Sequence, residues 1–213
     1  MTFRLPEALT ETDDTKALAL LRRYYGSPHG SNGAHAGAAF DTWDSTGTRS
    51  ADANRFTADD LVAVTFVSVR PKSSVPRALL RDRADEFSRL LVELGPDRDL
   101  ADEEAPLHND WPGWPVMKAL RTVKGINATT ASKLLARKRP RLRPIWDEVV
   151  AEVTGTHKRL WEPLRVALRK DDLALHRRLL QLREQAGLPD AVSAIRVFDV
   201  IAWREGKDGT ARP

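Results

Sequence analysis

The sequence predicts an all-α domain, and three observations carry that prediction. Apolar residues recur at helical spacing along most of the chain. Capping and stop residues bracket those runs. The one run rich in β-branched residues has a helix-opening signal before it and no partner strand.

Taken in order, Thr12 or Asp13 caps a helix to Tyr25, with Leu18, Leu21 and Tyr25 on one face and Gly26 as its stop. "GSPHGSNGAHAG", residues 26–37, reads as a long loop that either gates a substrate through His29, His35 or Asp41 or is simply mobile. Thr57-Ala58-Asp59-Asp60 resembles a capping box and opens the helix "LVAVTFVSV", which Pro71 ends. Residues 76–94 place Leu79, Leu80, Phe87, Leu90, Leu91 and Leu94 at helical spacing, and Gly95-Pro96 closes them. After a loop with two Trp residues, helices are expected near 116–123, 129–137, 144–153, 158–169, 171–186 and 190–205. The whole is one domain or two lobes, with a central lobe over 75–155.

Composition narrows the function. With 41% hydrophobic and 30% charged residues the chain is globular. It has no Cys, which removes disulfides, thiolate zinc sites and Cys nucleophiles. The five His have no metal-ligand spacing, so neither a metal nor a cofactor is expected. No apolar leader or span is present, which reads as a cytoplasmic protein without membrane attachment.

The charge is segregated. Against 34 Lys plus Arg and 30 Asp plus Glu overall, residues 111–146 hold no acid. That stretch carries Lys118, Arg121, Lys124, Lys133, Arg137, Lys138, Arg139, Arg141 and Arg143. Such asymmetry suits one face meeting a polyanion while an acidic remainder keeps the protein soluble. The alternative for the Arg run is a solvated helix end.

Within it, "VMKALRTV", "KGIN" and "ATTASKLLARK" read as helix, tight turn, helix. In a helix-hairpin-helix, Gly125 lets the chain reverse and the N–H groups at the following helix start face a phosphate oxygen. Asn127, which tolerates a left-handed backbone, takes the place of a second Gly. Ala128 and Ala131 let the helices approach. Lys124, Asn127, Thr129, Lys133, Arg137, Lys138, Arg139, Arg141 and Arg143 complete the expected nucleic-acid surface. Trp111, Trp114 and Trp146 are candidates to stack a base, or else they close the core; Trp161 and Trp203 read as structural.

The stretch "VKGINATTASKLLARKRPRLRPIWDEVV" resembles the helix-hairpin-helix and Gly/Pro-rich-loop-and-Asp signature of endonuclease III-like DNA glycosylases. The matching positions are Gly125, Ile126, Asn127, Thr130, Ala131, Pro144 and Asp147, over residues 112–155. The resemblance implies a helical glycosylase-like fold, duplex DNA or structured RNA as partner, and Asp147 as catalytic carboxylate. On residue type alone Asp147 is equally a helix cap. Thr129 stands where bifunctional members carry a Schiff-base Lys, which implies hydrolysis without strand cleavage. The rest of the chain, including "TADDLVAV" and "RVFDVIAW", resembles an uncharacterised bacterial domain family. The alternatives are a binding module that has lost the chemistry, or a domain whose basic strip meets an acidic protein.

Overall fold

The computed structural model describes residues 3–27, 31, 33–156 and 160–210, and among them every regular element is helical. In chain order these are α1 (Glu7–Thr10), α2 (Thr15–Tyr25), a 3₁₀ turn (Ala36–Ala38), α3 (Ala39–Thr42), α4 (Ala58–Phe66) and α5 (Ser74–Arg77). A π-helical turn (Ala78–Asp82) leads into α6 (Ala84–Leu94), and a second 3₁₀ turn (Leu100–Asp102) precedes α7 (Gly113–Arg121). Then come α8 (Ala128–Lys138), α9 (Glu148–Thr154), α10 (Trp161–Gln185) and α11 (Ala194–Thr210).

Local chemistry sets the ends. Thr57 accepts from the Asp60 N–H while the Asp60 carboxylate accepts from the Thr57 N–H, so the β-branched run after it is held as helix α4. Asp13 accepts from the N–H and hydroxyl of Thr15 at the start of α2. The helix expected over 76–94 is broken: the π turn ends at Arg83, whose non-helical backbone (φ −131°, ψ 20°) precedes the start of α6. The two helices expected over 158–169 and 171–186 both form: within α10 the backbone leaves the helical region at Lys170 and is left-handed at Asp171, Asp172 and Leu173, so α10 is two helical segments joined at a kink.

Two helices organise the core. α11 lies against α2, α9 and α10, and its residues from Ala194 to Ala202 are all buried. α8 lies against α4 and α7, α6 packs on α7, and α8 is buried from Ala131 to its end. The buried apolar side chains form one contiguous cluster across both. α8 buries cations as well as leucines, and this shapes the site.

Candidate nucleic-acid interface

The hairpin is present. α7 ends at Arg121, Gly125 turns the chain at φ +96°, and Asn127 opens α8. A side chain at Gly125 would meet the Lys72 stem at 3.3 Å in addition to the backbone strain. Asn127 departs from the expectation of a left-handed backbone. Its backbone is extended, and its side-chain carbonyl accepts from the Thr130 N–H at 2.8 Å. It is an N-cap and not a substitute for a left-handed Gly. Thr129 is half-buried, and its carbonyl accepts from the Ser132 hydroxyl.

The expected strip of exposed cations does not run along α8. Arg137 is buried, bonded through Nε to Asp60 at 3.3 Å, through Nη1 to the Phe40 carbonyl at 2.9 Å, and to the Trp43 carbonyl. Lys138 places Nζ 2.7 Å from the other Asp60 oxygen. Arg139 donates to the carbonyls of Leu91 and Gly95, tying down the end of α6, and to Ala53 and Asn54. Lys133 is buried and donates to the Val67 carbonyl at 2.7 Å; burial pushes its pKa down. Arg143 is buried among tryptophans. Arg141 keeps half its surface but is paired with Asp99. Arg137 and Arg139 are drawn inward because a guanidinium set among carbonyl oxygens satisfies several buried acceptors at once, and with Lys138 on Asp60 they fasten α3, α4 and α6 to α8.

The free cations lie nearby. Among the described residues, Arg70, Lys72, Lys118, Arg121, Lys124 and Arg143 have neither an ion pair nor a side-chain hydrogen bond. Arg143 is enclosed; the other five are exposed. All five border the hairpin. Lys118 and Arg121 are on α7 and Lys124 is in the turn. The segment bearing Arg70 and Lys72 runs beside it: Val67 meets Lys133, the Lys72 stem lies on Gly125, and the Ser74 hydroxyl donates to the Lys124 carbonyl at 2.6 Å.

Beside this face runs a groove of about 1620 Å³. Trp114, Met117, Lys118, Arg121 and Thr122, one face of α7, form a side of it, while Val116 and Leu120 on the other face enter the core. Ala128 at the start of α8, Trp146 and Trp161 complete its aromatic and hairpin walls, and Asp110 and Glu162 add carboxylates. Trp114 and Trp161 are stacked at 4.9 Å. Trp111 does not line the groove. It is buried behind Trp114, with its indole N–H on Glu103 at 2.9 Å. Gly113 makes this possible, since a Cβ there would fall 1.3 Å from the Trp111 ring.

Asp147 is not among the groove-lining residues, although its neighbour Trp146 is. It caps α9 by accepting from the Val149 N–H at 3.0 Å, and its other oxygen is 3.9 Å from Lys133 Nζ. The expected gating residues are elsewhere. His35 stacks on Tyr24 at 4.9 Å and accepts from the Gly37 N–H. Asp41 is buried, accepting from the Tyr25 hydroxyl and Arg196. His29 lies outside the described residues. Sequence reasoning missed Trp161, which sits in an apolar helical stripe, and Arg70 and Lys72, which lie outside the acid-free window. Nothing in the local pattern around Arg70 and Lys72 marks their proximity to the turn at Gly125.

Among the described residues no group of acids and histidines is arranged to hold a metal, and no helix is long and apolar enough to cross a membrane. Residues 17–206 match the family of unknown function DUF6308, and the chain belongs to that family. No curated protein and no solved structure matches it.

Proposed function

We propose that this DUF6308 member binds duplex DNA along the hairpin, with an unstacked base able to lodge in the tryptophan groove. One observation carries the reading: among the described residues, the exposed cations without an ion pair or side-chain hydrogen bond all lie at or beside one turn, and Lys118 and Arg121 also line the groove. The other exposed Lys and Arg side chains among the described residues each have an ion pair, a hydrogen bond or a ring contact. Five unpaired charges in one place raise the local potential for a polyanion. The stacked Trp114–Trp161 wall and Trp146 offer the flat apolar faces that a base requires.

The test is a salt titration of DNA affinity. Each neutralised phosphate contributes about −0.9 to the slope of log K against log salt. Replacing Lys118, Arg121 and Lys124 together with Ala should reduce the slope by about 2 to 3. Salt-independent binding by the wild type, or an unchanged slope in the triple variant, would sink the reading.

A second reading, base removal, is favoured by the position of Asp147: the next residue after a groove-lining Trp, partly exposed, and close to Lys133. A carboxylate so placed would stabilise positive charge on a sugar as an N-glycosidic bond breaks. Asp147→Asn should then leave DNA affinity intact and lower base release by a factor on the order of 10² or more. Release of no base from any lesion would leave a binding module.

A further inference from the structure

Among the described residues, Arg143 is the remaining cation without an ion pair or hydrogen bond, and unlike the other five it is buried. Its side chain is fully buried, and Nε, Nη1 and Nη2 find no acceptor in the protein. The guanidinium carbon lies 3.1 Å from the Trp111 ring centroid and 4.2 Å from that of Trp161. Trp161 in turn stacks on Trp114, whose centroid is 5.9 Å from the same guanidinium. The cation therefore stands beside the groove's aromatic wall, within reach of both stacked rings.

No carboxylate bonds it, and its charge is offset only at a distance. The facing carboxylate is Glu103, which already accepts from Arg98 and from the Trp111 indole. A cavity of about 10 Å³ beside it, walled in part by Asp41, Arg196 and Asp199, has room for about one water. A water would serve its hydrogen bonds and leave its charge in place. Burial pushes the guanidinium well below its usual range, yet arginine stays protonated in proteins. A buried cation held only by ring faces is costly compared with a hydrophobic side chain of similar size.

We infer that Arg143 is a specificity-determining residue: it sets the electrostatic sign of the tryptophan wall, so that the groove favours an anionic aromatic occupant, a base carrying its phosphate, and disfavours a cationic one. Two effects add. The unpaired charge acts through the low-dielectric wall on any group in the groove. It also draws electron density from the stacked Trp161–Trp114 pair, which weakens that wall's attraction for a second cation.

This inference rests on the proposed function for its occupant but not for its electrostatics, so two readouts separate them. The first is collisional quenching of tryptophan fluorescence by iodide and by caesium. The wild type should be quenched preferentially by iodide, and Arg143→Met should lose part of that preference. The second is binding of a short single-stranded oligonucleotide, which Arg143→Met should weaken about tenfold while Arg143→Lys retains most of the affinity. Arg143→Met should melt at the wild-type temperature or above it. Equal iodide and caesium quenching ratios in wild type and Arg143→Met would overturn the inference even if DNA binds. A changed ratio with no oligonucleotide binding would retain the electrostatics and fail the nucleic-acid reading. Loss of folding in both the Met and Lys variants would make Arg143 structural and overturn it as well.

Discussion

Residues 118–124 and residues 133–143 belong to one acid-free stretch of sequence, and the fold uses their positive charge in opposite ways. Lys118, Arg121 and Lys124 are exposed and unpaired. Lys133, Arg137, Lys138 and Arg139 are buried and bonded. The difference follows from position on the hairpin. α7 packs one face and leaves the other over the groove. α8 is enclosed by α4, α7 and the chain before α6, so its side chains must satisfy whatever they meet. What they meet is largely carbonyl oxygen. Charge density along a sequence therefore locates a polyanion surface only where the helix carrying it has a free face.

The sharpest way to break this comparison is to truncate one residue from each half. Arg139→Ala strands the carbonyls of Leu91, Gly95 and Ala53 and should cost about 3–5 kcal/mol, read by denaturant unfolding. Lys124→Ala should change stability by no more than about 0.5 kcal/mol. Similar losses in the two variants would mean that the halves do not differ as described.

The all-helical class and most helix starts were legible because caps and apolar spacing are local. Thr57 with Asp60 shows it: the signal and the bond are three residues apart. The hairpin turn was legible for the same reason. The site was less so. Whether Arg137 faces water depends on Phe40 and Trp43, almost a hundred positions away. Lys72 joins the interface only because its stem crosses Gly125. Neither relation has a trace in local pattern.

A second prediction sharpens the buried side by pH. Asp199, on α11, is enclosed, and its carboxyl is pushed up to about 6 by burial and by Asp147, against Arg196 and Lys133. The folded state therefore holds a proton that the unfolded chain releases near its ordinary 3.8. This contribution is fully present below about 4, is lost as pH rises to about 6, and is level above that. The span is on the order of 2–3 kcal/mol. Asp199→Asn, which can still accept from Arg196, should flatten the wild-type slope between pH 4 and 6 in urea unfolding. A variant-minus-wild-type difference that does not vary with pH would show that Asp199 stays ionised.

The smallest expected effect tests the hinge between the two regions. Asn127 stands where the helix-hairpin-helix pattern has a second Gly, and the two explanations of that residue make opposite demands. As a tolerated left-handed residue it would be strained, and Asn127→Gly would stabilise the protein. In the structure its backbone is extended at φ −91° and its side chain caps α8 through the Thr130 N–H. A cap predicts that Asn127→Ala costs about 1 kcal/mol and Asn127→Gly only a few tenths, because Gly is itself an acceptable N-cap. The salt slope of DNA binding should not move in either variant, since neither changes a charge. Thermal unfolding of the pair settles the order. If Gly proves more stable than Asn, the turn is left-handed at 127 and the start of α8 is misassigned; if Ala and Gly match wild type, the Asn127 bond contributes nothing and the exposed half owes its shape to Gly125 alone.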